Sequence, residues 1–340
     1  MTRANLIAVI TTIQPPTLAV RALTASLRPI GAPVLIVGDS KGPSEYDLPG
    51  AALLSLEDQL KLGLQLPRLL PVGHYSRKNV GYLLAIARRA SSIYETDDDN
   101  APLPTFRVRT LAACAQRVQQ RQWFNVYQVY TKELVWPRGF PLESIRGEGS
   151  ISYAPDTQTE EIEAPIQQGL ANGSPDVDAI WRLVLEREIS FSDGPSVWLP
   201  PRTWCPFNSQ STWWWPIAFP LMYLPSHCSF RMTDIWRSFI AQRCLWELGA
   251  GLVFHPAEVL QQRNVHRLLC DFRDELAGYL SNHEIVEVLS GLALDSGPSS
   301  VRSNLVRCYE ALIASEFIPA AEMPLLRAWL DDLDCVRVSF

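Results

Sequence analysis

The chain has 340 residues, of which 47% are hydrophobic and 19% charged, and a formal net charge of −6. This composition is too apolar for a disordered polymer, and its acidic balance argues against a nucleic-acid-binding surface, which needs a basic footprint. The length suits two lobes or one elaborated domain. The most apolar stretch, Trp213 to Leu224, is cut by Pro216 and Pro220 and is too short to span a bilayer. No transmembrane segment and no secretory leader are expected, since Leu6 to Thr12 is short and β-branched and reads as a buried strand. Seven scattered cysteines, with no CxxC pair and no zinc spacing, point to reduced thiols and a cytoplasmic setting; an organelle lumen fits if the chain is the soluble part of a longer parent.

In chain order, Leu6 to Ile10 predicts a strand and Thr17 to Leu27 a helix. Pro33 to Asp39 predicts a second strand, and Ala51 to Ser55 a short third one. Asn79 to Ala90 has helical spacing, with Val80, Leu83, Leu84 and Ala87 inward. Ser91 to Glu95 is a fourth strand that runs into Thr96-Asp97-Asp98-Asp99-Asn100. Strands alternating with helices predict an α/β fold with a doubly wound sheet and ligands at the strand C-termini. Residues 141–200 hold 3 Arg against 11 Asp+Glu, so the acidity sits in the middle of the chain. From about Asn264 the chain turns helical, with Leu268, Leu269, Phe272, Leu276 and Leu280 expected on one apolar face. Further helices are expected near Val301–Ile313 and Ala320–Leu333.

Three adjacent carboxylates, Asp97, Asp98 and Asp99, repel one another unless a cation sits among them. At a strand end the natural partner is Mg²⁺ or Mn²⁺, bridging one or two carboxylates to a diphosphate; an acidic surface loop is the plainer alternative. Asp39, ending the second strand, is placed to accept from a ribose hydroxyl or base N–H. Thr11 and Thr12, ending the first, are placed to meet the base. Arg77 and Lys78 precede the Asn79 helix, where they can face phosphate together with its N-terminal amides. Each of these residues is also readable as an ordinary cap or surface charge.

Several segments resemble the STELLO family of glycosyltransferase-like proteins: Thr11-Thr12-Ile13-Gln14-Pro15-Pro16-Thr17, Gly38-Asp39-Ser40-Lys41, Leu54 to Gln59, His74 to Leu83 and Glu95 to Asn100. The second half is similar too, at Pro175 to Leu183, Pro206 to Gln210, Arg231 to Arg237, Gln242 to Gly249 and Arg263-Asn264-Val265-His266. The resemblance covers roughly residues 5–280. It implies a GT-A-like mixed sheet with a DxD metal site, a nucleotide-sugar donor (UDP- or GDP-linked) and a glycan or lipid-linked acceptor. The organisation expected is a GT-A-like domain over 1–280, with a nucleotide-binding part at 1–110 and an acceptor and sugar part at 111–280. A helical C-terminal extension follows at 281–340, and a homo-oligomer is an open expectation. By the same resemblance Asp234, at the start of a helix, is the base of an inverting reaction, with a helix cap as the alternative. The same resemblance makes His266 a candidate third metal ligand or diphosphate contact, with a surface or packing residue as the alternative.

Asp176 and Asp178 lie on one face if the segment is a strand, placed for sugar hydroxyls or a second cation; Asp176 can instead cap a helix ahead of Ala179-Ile180-Trp181. Asn208, Ser209 and Gln210 offer amide and hydroxyl groups among aromatics, as sugar recognition needs. Eight of the 11 tryptophans fall between Trp181 and Trp246. Trp213, Trp215 and Trp236 are candidates for the sugar or acceptor surface, and Arg237 and Arg243 for steadying the diphosphate, with pairing to acids, a structural salt bridge in the case of Arg243, as the alternative. On a strand Trp213 and Trp215 share a face and Trp214 takes the other. A metal-dependent glycosyltransferase is the expected function; a sugar-nucleotide mutase and a non-catalytic partner of a glycan-synthesis complex are the alternatives. Convergence of Asp97, Asp99, Asp234 and His266 in one cleft favours an enzyme. Trp204, Trp213, Trp214, Trp215 and Trp236 test the sugar surface by whether any of them lines that cleft.

Overall fold

The structure, a computed structural model, describes residues 5–145, 158–262 and 267–338. Strands β1 (Leu6–Thr11), β2 (Val34–Val37), β3 (Ala51–Leu54) and β4 (Ser92–Thr96) form a parallel sheet in the order β3-β2-β1-β4. Their connections contain α1 (Leu18–Leu27), α2 (Leu56–Lys61), α3 (Leu66–Leu69) and α4 (Lys78–Ala87). The Thr17 hydroxyl accepts from Val20 N at 3.1 Å, and the Ser55 hydroxyl from Asp58 N at 3.1 Å, so both helices start on the side-chain caps that serine and threonine supply.

The second half extends the same sheet. It comprises β5 (Asn100–Pro102), β6 (Ala112–Arg117), α5 (Tyr127–Tyr130), β7 (Thr159–Glu163), β8 (Ile166–Gly173), α6 (Ala179–Val184), β9 (Ser196–Leu199), β10 (Ser211–Trp214), α7 (Thr233–Trp246) and β11 (Leu252–Gln261). Beyond β4 the order runs β10-β8-β11-β9-β6-β7, with β5 paired to the end of β11. The result is a mixed α/β fold whose eleven-stranded sheet is consistent with a GT-A-like architecture. Its decisive step is β10 lying antiparallel to β4, with Ser211 opposite Thr96 and Trp213 opposite Tyr94. An antiparallel neighbour begins where its partner ends, so the Ser209–Gln210 segment sits beside the Asp97 run. The Thr96 hydroxyl donates to Gln210 O at 2.5 Å across this junction.

Both sheet faces are covered. Ile7, Val9, Val37, Ile93 and Trp214 point into the larger core beneath α4 and α7, while Leu6, Ala8, Ile10, Tyr94, Trp213 and Trp215 pack in a second core with α1. The tryptophans alternate as the period of a strand requires. The larger core continues through the helices α8 (Leu268–Gly291), α9 (Val301–Ala314) and α10 (Glu322–Val338), as far as Trp329 and Val336. The expected boundary at 280/281 falls inside α8. Trp329 Nε1 donates to Pro220 O at 3.0 Å, and the Asp332 carboxylate accepts from Gln65 N (2.9 Å) and Leu66 N (2.8 Å) at the start of α3.

The expected apolar face of α8 is reversed. The helix buries Asp271, Glu275 and Gly278 in its first half and Asn282 just beyond it, while Leu269, Leu276 and Leu280 are exposed. Its inner face meets arginines and backbone amides that need carboxylates, a partnership that hydrophobic periodicity does not register. Among the described residues no helix is long and apolar enough to cross a membrane.

Candidate functional site

A cavity of about 280 Å³ opens at the C-terminal end of β4, lined among others by Asp97, Asp98, Asp99, Asp176, Asp234 and Arg138. A second hollow of about 330 Å³ shares Thr11, Tyr75, Asp98 and Phe230 with it and runs along Thr12, Ile13, Asp39, Lys41 and His74 at the ends of β1 and β2. Parallel strands deliver their C-terminal residues to one edge of the sheet, which is why residues so far apart in sequence meet here.

The aspartate run is held in a defined pose. The Lys78 ammonium, at the start of α4 and fully buried, donates to Asp97 Oδ1 at 2.7 Å. Burial and the neighbouring Asp99 push the Asp97 carboxyl up to about 7 despite Lys78. Asp98 accepts from the Thr12 hydroxyl. Asp99 accepts from Asn100 Nδ2 at 3.0 Å and from Gln261 Nε2 at 2.9 Å, and Gln261 in turn accepts from Gln210 Nε2 at 2.7 Å. Gln261 reaches Asp99 because β11 pairs with β5, Gln261 opposite Asn100.

Across the cavity, Arg138 is the organising residue, and nothing in the sequence pattern singles it out. Its Nε and Nη2 donate to the two oxygens of Asp176, each at 2.8 Å, and Nη2 also reaches both oxygens of Asp234 at 2.9 and 3.0 Å. Asp234 lies in the first turn of α7 without capping it: no side chain caps that helix, and Arg138 is its partner. Arg231, also in the lining, pairs with Glu275 of α8 at 2.9 Å. Tyr75 and Phe230 pack edge to face at 5.0 Å, with His74 against Phe230 at 5.2 Å, as an aromatic wall shared by the two hollows. Burial pushes the His74 imidazole below its ordinary range, so this wall is neutral near pH 7. Asp39 accepts from Ser40 N (2.6 Å) and Gly73 N (2.8 Å).

Of the expected site residues, Thr11, Thr12, Asp39, Asp97, Asp98, Asp99, Asp176, Ser209, Gln210 and Asp234 line these two hollows. Lys78 reaches them through Asp97, and His266 lies outside the described residues. The others are placed elsewhere. Arg77 is buried, donating to Gln59 Oε1 (2.8 Å), Leu70 O (3.1 Å) and Pro67 O (3.2 Å), and so braces α2 and α3 rather than phosphate. Arg237 is buried against Glu95 at 2.8 Å with its guanidinium over Trp214. Arg243 binds Glu247, Leu289 O and Leu292 O, joining α7 to the end of α8. Asp178 caps α6, accepting from Trp181 N at 2.8 Å and from Trp136 Nε1 at 2.6 Å. Asn208 is a buried loop brace, bonded to Gln168 and to Gln210 N.

The five tryptophans of the cluster are all buried and none lines either hollow; Trp236 Nε1 donates to Asn282 at 2.9 Å. Their excess is a packing feature. Arg138, Arg231, Phe230 and Gln261 are lining residues that composition and spacing do not single out. Only the position of Phe230 and Arg231, just ahead of the Asp234 helix, offered a signal.

The donor set can be tested against a divalent ion. Among the described residues no group of three His, Cys, Asp or Glu side chains is poised as a metal cage. Mg²⁺ and Mn²⁺ at a diphosphate need less, one or two carboxylates with water and phosphate oxygens completing the shell, and Asp97 and Asp99 meet that requirement.

Residues 231–340 match the family model described as STELLO glycosyltransferases. The chain is 30% identical over 332 residues to the probable glycosyltransferase STELLO2 of Arabidopsis thaliana, covering 89% of this chain and 41% of that protein. It is 30% identical over 328 residues to the probable glycosyltransferase STELLO1 of the same plant, covering 90% and 42%. The chain thus spans about two-fifths of the length of these curated relatives. Over residues 231–340 by the family model, and along nine-tenths of its own length by identity, this chain is similar to the STELLO glycosyltransferases.

Proposed function

We propose that this chain is a metal-dependent glycosyltransferase that moves a sugar from a UDP- or GDP-linked donor to a hydroxyl of a glycan or lipid-linked acceptor. The observation that carries the reading is the presence of Asp97, Asp99 and Asp234 in one cleft at the strand ends. Asp97 and Asp99 hold Mn²⁺ or Mg²⁺, which neutralises the leaving diphosphate when bound. Thr11, Thr12 and Asp39 hold the nucleoside in the neighbouring hollow, and Ser209 and Gln210 offer hydroxyl and amide groups to the sugar.

In an inverting transfer the acceptor oxygen forms a bond to the anomeric carbon as the bond to the diphosphate breaks. Asp234 takes the proton the acceptor loses. Arg138 keeps that carboxylate oriented, and Asp176 fixes Arg138.

The reading is tested by titrating UDP and GDP with and without Mn²⁺ by calorimetry, then following donor consumption with an acceptor panel by NMR. Wild type should bind a nucleotide only with metal. Asp97→Asn/Asp99→Asn should lose that binding, and Asp234→Asn should keep it while turnover falls about 10²–10⁴-fold. Metal-independent binding, or full turnover in the double variant, overturns the proposal. Isomerised donor without an acceptor would replace it with a mutase.

A further inference from the structure

A groove of about 1060 Å³ lies away from the strand-end cleft, lined among others by Gln120, Gln122, Arg202, Trp246 and Glu247. It shares no lining residue with the two hollows described above. Asp234 sits in the first turn of α7, in the cleft, whereas Trp246 and Glu247 close the same helix, in the groove. At 1.5 Å per residue the helix sets Asp234 and Glu247 about 20 Å apart, so both places can be occupied at once. We infer that this groove is a second binding site, which holds a neutral oligosaccharide.

The lining has the chemistry that sugars need. Trp246 is half-buried, backed by Trp204 with ring centroids 4.3 Å apart, and its remaining surface is a shelf of the kind on which sugar C–H faces stack. Gln120, Gln122 and Arg202 are exposed around it and offer amide and guanidinium groups, and Glu247 adds a carboxylate. A hydroxyl both donates and accepts, so it is matched by such a mixture rather than by one sign of charge. Glu247 is oriented beforehand, accepting from Arg243 Nη1 at 2.7 Å and from the Ser296 hydroxyl at 3.1 Å. Arg202 has a φ of 71°, a left-handed conformation that suits glycine and strains other residues, and such strain is a mark of functional loops. An anionic ligand fits less well. Arg121, Arg202 and Arg243 all line the groove, but Arg243 is committed to Glu247, Leu289 O and Leu292 O. The C-terminal ends of α7 and α8 also meet here, and they present the negative ends of two helix dipoles. The inference does not rest on the reaction proposed for the cleft.

Calorimetry of the full chain with maltohexaose, cellohexaose and mannohexaose, without metal or nucleotide, tests this. At least one of the three should bind with a Kd below about 1 mM. Trp246→Ala should weaken that binding about tenfold. Because Trp246 also packs on Trp204, a second variant at two exposed positions, Gln120→Ala/Arg202→Ala, decides if the first fails to fold; it should weaken binding about tenfold too. Asp97→Asn/Asp99→Asn should bind the oligosaccharide as wild type does. Loss of binding in that variant would move the oligosaccharide to the cleft and overturn the inference, as would binding that the groove variants leave unchanged. So would a wild type that binds none of the three, or one that takes hexagalacturonate or inorganic phosphate in their place. A chain that binds the oligosaccharide here but no nucleotide with Mn²⁺ would support this inference and overturn only the transferase reading.

Discussion

Arg138 shows how one buried cation can organise a cleft. Its guanidinium serves two carboxylates that would otherwise face each other with little solvent. Replacing it by methionine keeps the volume and strands both charges, so Arg138→Met should cost about 3–5 kcal/mol of stability, read from urea melts at pH 7. A variant as stable as wild type would mean that Asp176 and Asp234 are solvated. Asp178 is the contrasting case, a buried carboxyl that burial pushes up to about 6 from its ordinary 3.8. A raised folded value means that the ionised group costs stability, a cost absent below about pH 4 that grows as pH rises toward 6. Asp178→Asn removes the titrating group and keeps the cap, but its single oxygen cannot also accept from Trp136 Nε1, a loss of about 1 kcal/mol that does not vary with pH. It should therefore gain on wild type by about 1–3 kcal/mol between pH 4 and pH 7, with activity unchanged. A difference that stays flat with pH in denaturant melts would contradict the assignment. The misread arginines share one cause. Arg237 finds Glu95 142 positions away, and Arg77 finds Gln59 and two carbonyls on neighbouring short helices, so local sequence shows an unclaimed charge where the fold has already satisfied it.

Among the elements, the first four strands and α1 and α4 were legible because their signals are local. Apolar β-branched runs, a Thr or Ser cap and a 3.6-residue stripe each lie within a dozen positions. α4 carries a further constraint. A Cβ on Gly81 would lie 2.5 Å from Val37 Cγ2 and 2.6 Å from Val9 Cγ1, so the helix rests directly on β1 and β2. Gly81→Ala should cost about 1–3 kcal/mol although alanine favours helices by about 1 kcal/mol. It should also weaken Mn²⁺-dependent nucleotide binding by shifting Lys78 against Asp97, and a stabilised variant with intact binding would refute this. α8 was misread for the opposite reason. Its leucines obey helical periodicity, but the surface it covers offers Arg182, Arg231 and the α6 amides, so its carboxylates turn inward.

At the scale of the whole molecule, one apolar core runs from β1 to α10. The C-terminal helices are part of it: Glu322 accepts from Ser226 N at 3.0 Å and His227 N at 2.7 Å, and Trp329 is fully buried. A chain ending at residue 319 should therefore lose cooperative unfolding and near-ultraviolet dichroism rather than retain a folded nucleotide-binding lobe. A sharp thermal transition in that fragment would show a separable extension. The tryptophan excess belongs here too. Trp204, Trp213, Trp214, Trp215 and Trp236 fill a thick two-sided core, and the sugar reading rests on carboxylates, amides and hydroxyls instead.

By itself the amino-acid sequence determined the alternation of strands and helices, the placing of Asp97–Asp99 at a strand end and the family resemblance, because each is written in neighbouring residues. Only the tertiary structure decided which charges face the cleft. β10 lies antiparallel to β4, bringing Gln210 to the aspartates, and Arg138 reaches Asp176 and Asp234 across 38 and 96 positions. A buried charge is stable only beside its partner, and that partner is chosen by the packing of the chain in space, not by its neighbours in sequence.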